Sequence, residues 1–371
     1  MTDTLTRDAP RGAAPAATAP DATPPPTTAP PALDDFLDGV LAERVERAAR
    51  HGHEYRRLWE AATEAVAGGK RIRPMLVLAA HRAWGDPRPD DAVRVAAAFE
   101  LLHTAFLMHD DVIDHDLVRR GRPNVAGRFA HAAAARGLDS ARAHDYGDAS
   151  AILAGDLLIS AAHGLVAGVD APAPTRLALL DLVDECVFTT AAGEHDDVRF
   201  AAGVRPGRDE ILAMIEAKTA AYSFSAPLRA GALLAEAGPG ASDRLDRIGR
   251  SLGIAFQLRD DVLGVFGDER TTGKSTLGDL REGKETLLVA SARGHADWEA
   301  VAGRFGDPRL DEAGAAALRD ALVASGALAQ VEALIDRHAA FARVGIDHPE
   351  LPAALRDDLR ALVAASTERR R

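Results

Sequence analysis

From about Leu33 onward the apolar residues recur at helical spacing, and no stretch alternates apolar and polar as a half-buried strand would. Within the longest run free of Gly and Pro, residues 93–118 read VRVAAAFELLHTAFLMHDDVIDHDLV. Further helical stretches cover residues 149–163, 175–192, 209–225 and 242–263, with several more after Asp311. Pro87, Pro89, Pro123, Pro172, Pro174, Pro206, Pro239, Pro308 and Pro349 fall between these stretches, where helix-ending residues belong. No fixed-period repeat is visible. The pattern predicts an all-α fold, a single-domain helical bundle over residues 33–371. Residues 1–32 differ: they hold eight of the 20 prolines, mixed with Ala and Thr, and read as a disordered tail.

Composition narrows the function. Apolar residues make up 47% of the 371 positions but aromatics only 5%, so the core must be built from Ala, Leu, Val and Ile. A net charge of −12 argues against a nucleic-acid binder, which would show a basic face. It leaves room for an anionic substrate held through metal. The single cysteine, Cys186, permits no intrachain disulfide and fits a reducing cytosol, so a cytoplasmic location is expected. No apolar run of ~18 residues suggests a membrane span, and the N-terminus lacks the basic-then-apolar pattern of a signal peptide.

The basic residues are uneven. Of 44, only Lys70, Lys218, Lys274 and Lys284 are lysines. An ammonium is a compact point charge suited to phosphate, and three of the four lie in Gly-bearing stretches that let backbone approach an anion. The acidic residues cluster too. Asp110 and Asp114, four apart on one helix, share a face about 6 Å apart beside Asp111. Phe106 and His103 continue that stripe upstream. Three carboxylates at a helix end are costly unless solvated or neutralised by a cation, and Mg²⁺ typically bridges one or two carboxylates to substrate phosphates. A second such site follows in FQLRDDVLGVFGD, with Gln257, Asp260 and Asp261 again on an apolar helix. Two such helices could face each other and clamp a diphosphate between metals, with an apolar cavity below for its organic part.

These stretches together resemble the trans-isoprenyl diphosphate synthases. The matching segments are GGKRIRP (68–74), ELLHTAFLMHDDVIDHDLVRRGRPNV (100–125), ILAGDLL (152–158), EAKTAAYSF (216–224), FQLRDDVLGVFGD (256–268) and TGKSTLGDLREGKET (272–286). The resemblance implies helices around a central cavity, a homodimer, and Mg²⁺-dependent condensation of isopentenyl diphosphate with an allylic diphosphate. It implies that Asp110, Asp114 and Asp260 ligate Mg²⁺, three ions in all, with Asp111 and Asp261 beside them. Arg119, Lys218, Gln257 and Lys274 would contact the allylic diphosphate, with Thr219 near the developing allyl cation. Lys70, Arg73, His103 and Arg120 would hold isopentenyl diphosphate, and Lys284 would act at the cavity mouth. The resemblance also places the floor of the cavity at Ala105 and Phe106. With a small residue at the first and a ring at the second, the expected product is C20 geranylgeranyl diphosphate, with C15 or longer (C25 and above) products as the alternatives.

Two departures from the family pattern stand out. Gly264 occupies the place of a frequent third Asp in the second motif, and Glu194 stands where many relatives carry Gln, which puts a role for Asp197 in doubt. Other readings explain less. GDERTTGKS misses P-loop spacing by one residue and follows a helix. His109-Asp110 and His115-Asp116 suggest an HD phosphohydrolase, which leaves the Lys-bearing motifs unexplained. A class I terpene cyclase has no use for GGKRIRP, and non-catalytic synthase subunits commonly lack the aspartate pairs present here.

Overall fold

The computed structural model describes residues 31–267 and 276–367. The longer helices are α1 (Pro31–Ala49), α2 (His53–Val66), α3 (Ile72–Ala83), α4 (Pro89–Ile113), α5 (Val125–Ala135), α6 (Ser140–Ala167) and α7 (Ala173–Ala201). They continue with α8 (Arg208–Ile215), a π-helix (Glu216–Ser225), α9 (Ala226–Leu234) and α10 (Pro239–Phe266). Short helices α11 (Gly278–Glu282), α12 (Leu287–Ala292) and α13 (Ala296–Glu299) lead to α14 (Glu312–Ala324), α15 (Ala327–Ile346) and α16 (Ala353–Thr367). The all-α expectation holds. The expected tail, residues 1–32, lies outside the described residues except for its last two, which already belong to α1; Leu33 and Leu37 anchor that helix in the core.

Two local features depart from the sequence pattern. The long helical run ends at Ile113, not Val118. Residues 118–123 instead form a two-residue hairpin, β1 (Val118–Arg119) against β2 (Arg122–Pro123), with Arg120 and Gly121 both at positive φ. The segment carrying Lys218 and Thr219 is a π-helix between α8 and α9.

Small residues set how closely the helices pack. A Cβ on Gly193 of α7 would lie 2.3 Å from the Lys218 backbone N, and one on Gly253 of α10 would lie 2.4 Å from the Ala220 Cα. Glycines on both flanking helices therefore admit the wide π-helix between α7 and α10. Helix α4 runs along α6 and beside α3, inside a cluster of buried Ala, Leu and Val that includes Val95, Leu101, Leu102 and Leu158. Helix α6 is long and apolar enough by length and composition to cross a membrane, a property the sequence reading did not expect. Half of its apolar window is buried within the protein, which is how a core helix also behaves.

Candidate active site

The first acidic motif sits at the C-terminal end of α4. Asp114 is the capping residue, its N–H donating to the Asp110 carbonyl at 2.8 Å. Asp111 is buried and accepts a hydrogen bond from Arg119 Nε at 2.7 Å, so β1 carries the guanidinium back onto the helix that precedes it. Burial pushes the Asp111 carboxyl up, and Arg119 opposes the shift. Asp114 lies at the exposed tip, yet partial enclosure, and after it the neighbouring Asp110 charge, raises its carboxyl to about 7.

Lys218, from the π-helix, gathers the negative charge. Its Nζ lies 3.1 Å from Asp110 Oδ1, 2.9 Å from Glu194 Oε2 and 2.7 Å from Asp197 Oδ2. Burial disfavours its ammonium, but Asp110, Asp197 and Glu194 outweigh that and hold its pKa above the ordinary lysine value. Glu194 and Asp197, three apart on α7, are thus ligands of the lysine. The signal in the sequence that places Asp197 is its i, i+3 spacing from Glu194, which puts both on one helix face.

The second motif lies near the end of α10. Asp261 is buried, accepts from Gln257 Nε2 at 2.9 Å, and is pushed up to about 6 by burial, against the pull of Lys284. Thr219 Oγ donates to Gln257 Oε1 at 3.2 Å, joining π-helix to α10. Lys284 keeps an exposed surface while its ammonium is crowded by Asp261, Asp279 and Asp197; they outweigh its desolvation and raise its pKa. The same ammonium acts on Asp114, so Lys284 stands between the two acidic motifs. Asp260 is half-buried beside Asp261, and Lys274 lies outside the described residues.

A separate basic cluster surrounds His103 on α4. Burial first, then Arg73, Arg119, Arg120 and Arg71, hold its pKa well below the ordinary value, as expected of an imidazole inside a cationic pocket. Gly68 and Gly69 have positive φ, and the Arg120 guanidinium rests against them, its Nη2 3.2 Å from where a Gly69 Cβ would be. That brings Arg120 to the loop bearing Lys70, itself exposed. The loop is pinned by Arg71, in a left-handed conformation, which donates to Glu100 Oε1 and to the Val66 carbonyl, both at 2.8 Å. Arg71 and Glu100 form a buried pair that composition alone did not reveal.

Residues 56–303 match the profile of the polyprenyl synthetase family. The chain belongs to that family. Over 227 residues it is 39% identical to a short chain isoprenyl diphosphate synthase of Methanothermobacter thermautotrophicus, 61% of this chain and 64% of the relative. Over 304 residues it is 35% identical to a (2E,6E)-farnesyl diphosphate synthase of Mycobacterium tuberculosis, 78% of each chain. The crystal structure of geranylgeranyl pyrophosphate synthase from Corynebacterium glutamicum, complexed with isoprenyl diphosphate and magnesium, superposes with a TM-score of 0.84. It is 29% identical, with 91% of this chain and 98% of that one covered.

Against the polyprenyl synthetase pattern, the two departures acquire a local explanation. A Cβ on Gly264 would lie 2.2 Å from Asp279 Oδ2, so the carboxylate of α11 occupies the space beside α10 that a third Asp in the motif would need. Glu194 serves Lys218 with a full charge where an amide would give only a dipole. His109, weighed above as half of an HD pair, donates from Nε2 to the Ile152 carbonyl at 3.2 Å and packs on Gly155 of α6. Among the described residues no three His, Cys, Asp or Glu side chains form a ready-made metal cage.

Proposed function

We propose that the chain is a Mg²⁺-dependent prenyltransferase that condenses isopentenyl diphosphate with allylic diphosphates of C5 to C15, its main product being geranylgeranyl diphosphate. The observation that carries this reading is the pairing of two unlike sites. Asp110 on α4, Asp114 at its cap and Asp261 of α10 gather around Lys218 and Lys284, while Arg73 and Arg120 gather around His103 about two turns up α4 from Asp110. The first suits a diphosphate carried with metal; the second suits a diphosphate carried by cations alone.

In this reading Asp110, Asp114 and Asp260 hold the metal, three ions per site. When bound, Mg²⁺ would neutralise charge growing on the leaving diphosphate. Arg119, Lys218, Gln257 and Lys274 orient the allylic diphosphate, and Lys284 adds charge at the mouth. As the allylic C–O bond breaks, its electron pair leaves on the diphosphate. The Thr219 hydroxyl lies beside the resulting cation. Lys70, Arg73, His103 and Arg120 present isopentenyl diphosphate so that its double bond forms the new C–C bond, and a proton then departs to the released pyrophosphate. Ala105 is wholly buried and Phe106 half-buried below the motif, which supports Phe106 as the residue that limits tail depth.

Residues 33–371 would act as one domain, in the cytosol, and as a homodimer. Exposed apolar side chains on α6 and α7, among them Leu153, Leu177 and Phe188, offer a face for the second copy. The deciding experiment incubates the purified chain with isopentenyl diphosphate and each of the C5, C10 and C15 allylic partners, with Mg²⁺ or excess EDTA, and weighs the products. Metal-dependent formation of a C20 diphosphate is expected. Absence of condensation, or full turnover in EDTA, overturns the reading.

A further inference from the structure

Tyr222 belongs to none of the roles above, yet it touches three residues that have one. It is buried in the π-helix, a register that is rare and often marks functional sites. Arg73 Nη2 lies 3.1 Å from its hydroxyl and 2.6 Å from the hydroxyl of the adjacent Ser223. His103 Nδ1 lies 3.1 Å from the same Tyr222 oxygen. The rings of Tyr222 and Phe106 meet edge-on, centroids 5.0 Å apart, and the Arg73 guanidinium lies over the Tyr222 ring at 4.7 Å from its centroid.

The direction of these hydrogen bonds is forced by chemistry. Arginine can only donate, so the Tyr222 oxygen accepts from Arg73. Its own proton then needs an acceptor, and among the described residues the one within reach is His103 Nδ1. A proton on Nδ1 would leave a buried phenol O–H unsatisfied, at a cost of about 1–3 kcal/mol. The neutral imidazole with its proton on Nε2 avoids that cost. The cationic pocket around the ring favours the neutral form as well.

We propose that Tyr222 is a positioning residue: its hydroxyl fixes Arg73 and holds His103 as the Nε2–H tautomer for isopentenyl diphosphate, while its ring braces Phe106. One side chain thus ties capture of the C5 donor to the depth allowed for the growing tail. The inference rests on the functional reading above for its substrate, but the tautomer does not.

Two measurements test it. In ¹⁵N-labelled protein, long-range ¹H–¹⁵N correlation, assigned with a His103→Gln variant, should show His103 protonated at Nε2 and not at Nδ1. Tyr222→Phe, which keeps the ring, should release that preference. It should also raise KM for isopentenyl diphosphate roughly tenfold, the usual consequence of losing a hydrogen bond to a charged group. KM for the allylic partner and the product length should stay put, and kcat should change far less than the isopentenyl KM. Tyr222→Ala should show the same KM rise and add longer products. A wild-type His103 protonated at Nδ1, or a Tyr222→Phe enzyme with unchanged isopentenyl KM, overturns the proposal. A wild type that condenses nothing defeats the functional reading, and the tautomer spectrum still decides the role of Tyr222.

Discussion

At the scale of single residues, charge crowding explains the site. Asp110, Asp111, Asp114, Glu194 and Asp197 face Lys218, Lys284 and Arg119, three cations for five carboxylates, so the site holds surplus negative charge that invites a divalent ion. Asp110→Asn and Asp114→Asn should each lower kcat/KM by ~10²–10³, the usual loss for one preorganised electrostatic contact. Steady-state kinetics at saturating Mg²⁺ checks this. If Asp114→Asn raised only the isopentenyl KM, the assignment of that carboxylate to the allylic side would be wrong. Cys186 is the opposite case. It is buried in α7, and burial pushes its thiol up to about 12. At pH 8 almost none is thiolate, the form that reacts. Native protein should therefore resist thiol reagents, and labelling should begin only at the unfolding transition. Rapid labelling of folded protein would show that α7 opens locally.

At the scale of elements, the π-helix is the organising piece. It holds Lys218 toward Asp110, Thr219 toward Gln257, and Tyr222 and Ser223 toward Arg73. Its width demands glycine on both neighbours, because a Cβ on Gly193 or Gly253 would strike backbone or Cα atoms that cannot swing aside. Gly193→Ala should cost about 1–3 kcal/mol, the usual range for overpacking. It should also cut kcat, because Lys218 must move. Thermal melts and kinetics on this variant test both parts, and an enzyme unchanged in both would show that the π-helix tolerates displacement. Gly264→Ala makes the sharper contrast. The atom it would meet is the tip of Asp279, not backbone. Its expected effect is a loss of activity with little change in melting temperature; a neutral Gly264→Ala would mean that the Asp279 carboxylate does not matter where it sits.

At the scale of the whole molecule, stability should fall in acid partly through His81. Its side chain is fully buried in α3, Nδ1 lies 2.7 Å from Asp86 Oδ1, and Nε2 is buried without a partner. Burial lowers its pKa below the ordinary 6.5 despite Asp86. The unfolded chain therefore binds the proton more readily than the folded one. The stability this residue contributes is full above about pH 6.5 and is lost as pH falls through the lower folded value. His81→Leu should flatten the drop in melting temperature between pH 6.5 and 5. An unchanged slope would place the acid sensitivity elsewhere, for instance at His103, whose shift has the same sign.

The helical class is legible in the order of residues alone, because periodicity of apolar residues is a local property that every segment carries. So are the two acidic motifs and most of the basic residues, since helical spacing alone places Asp110 beside Asp114 and Gln257 beside Asp261. What needed the tertiary structure were partnerships between distant segments. Arg71 with Glu100, Lys218 with Asp197, Tyr222 with His103 and Asp279 with Gly264 have no common local pattern; each pair meets only when helices pack. The hairpin at residues 118–123 and the π-register at 216–225 were hidden for a related reason. Two strand residues are too few to show alternation, and a one-residue widening of a helix leaves the apolar pattern nearly intact while turning its side chains toward different partners.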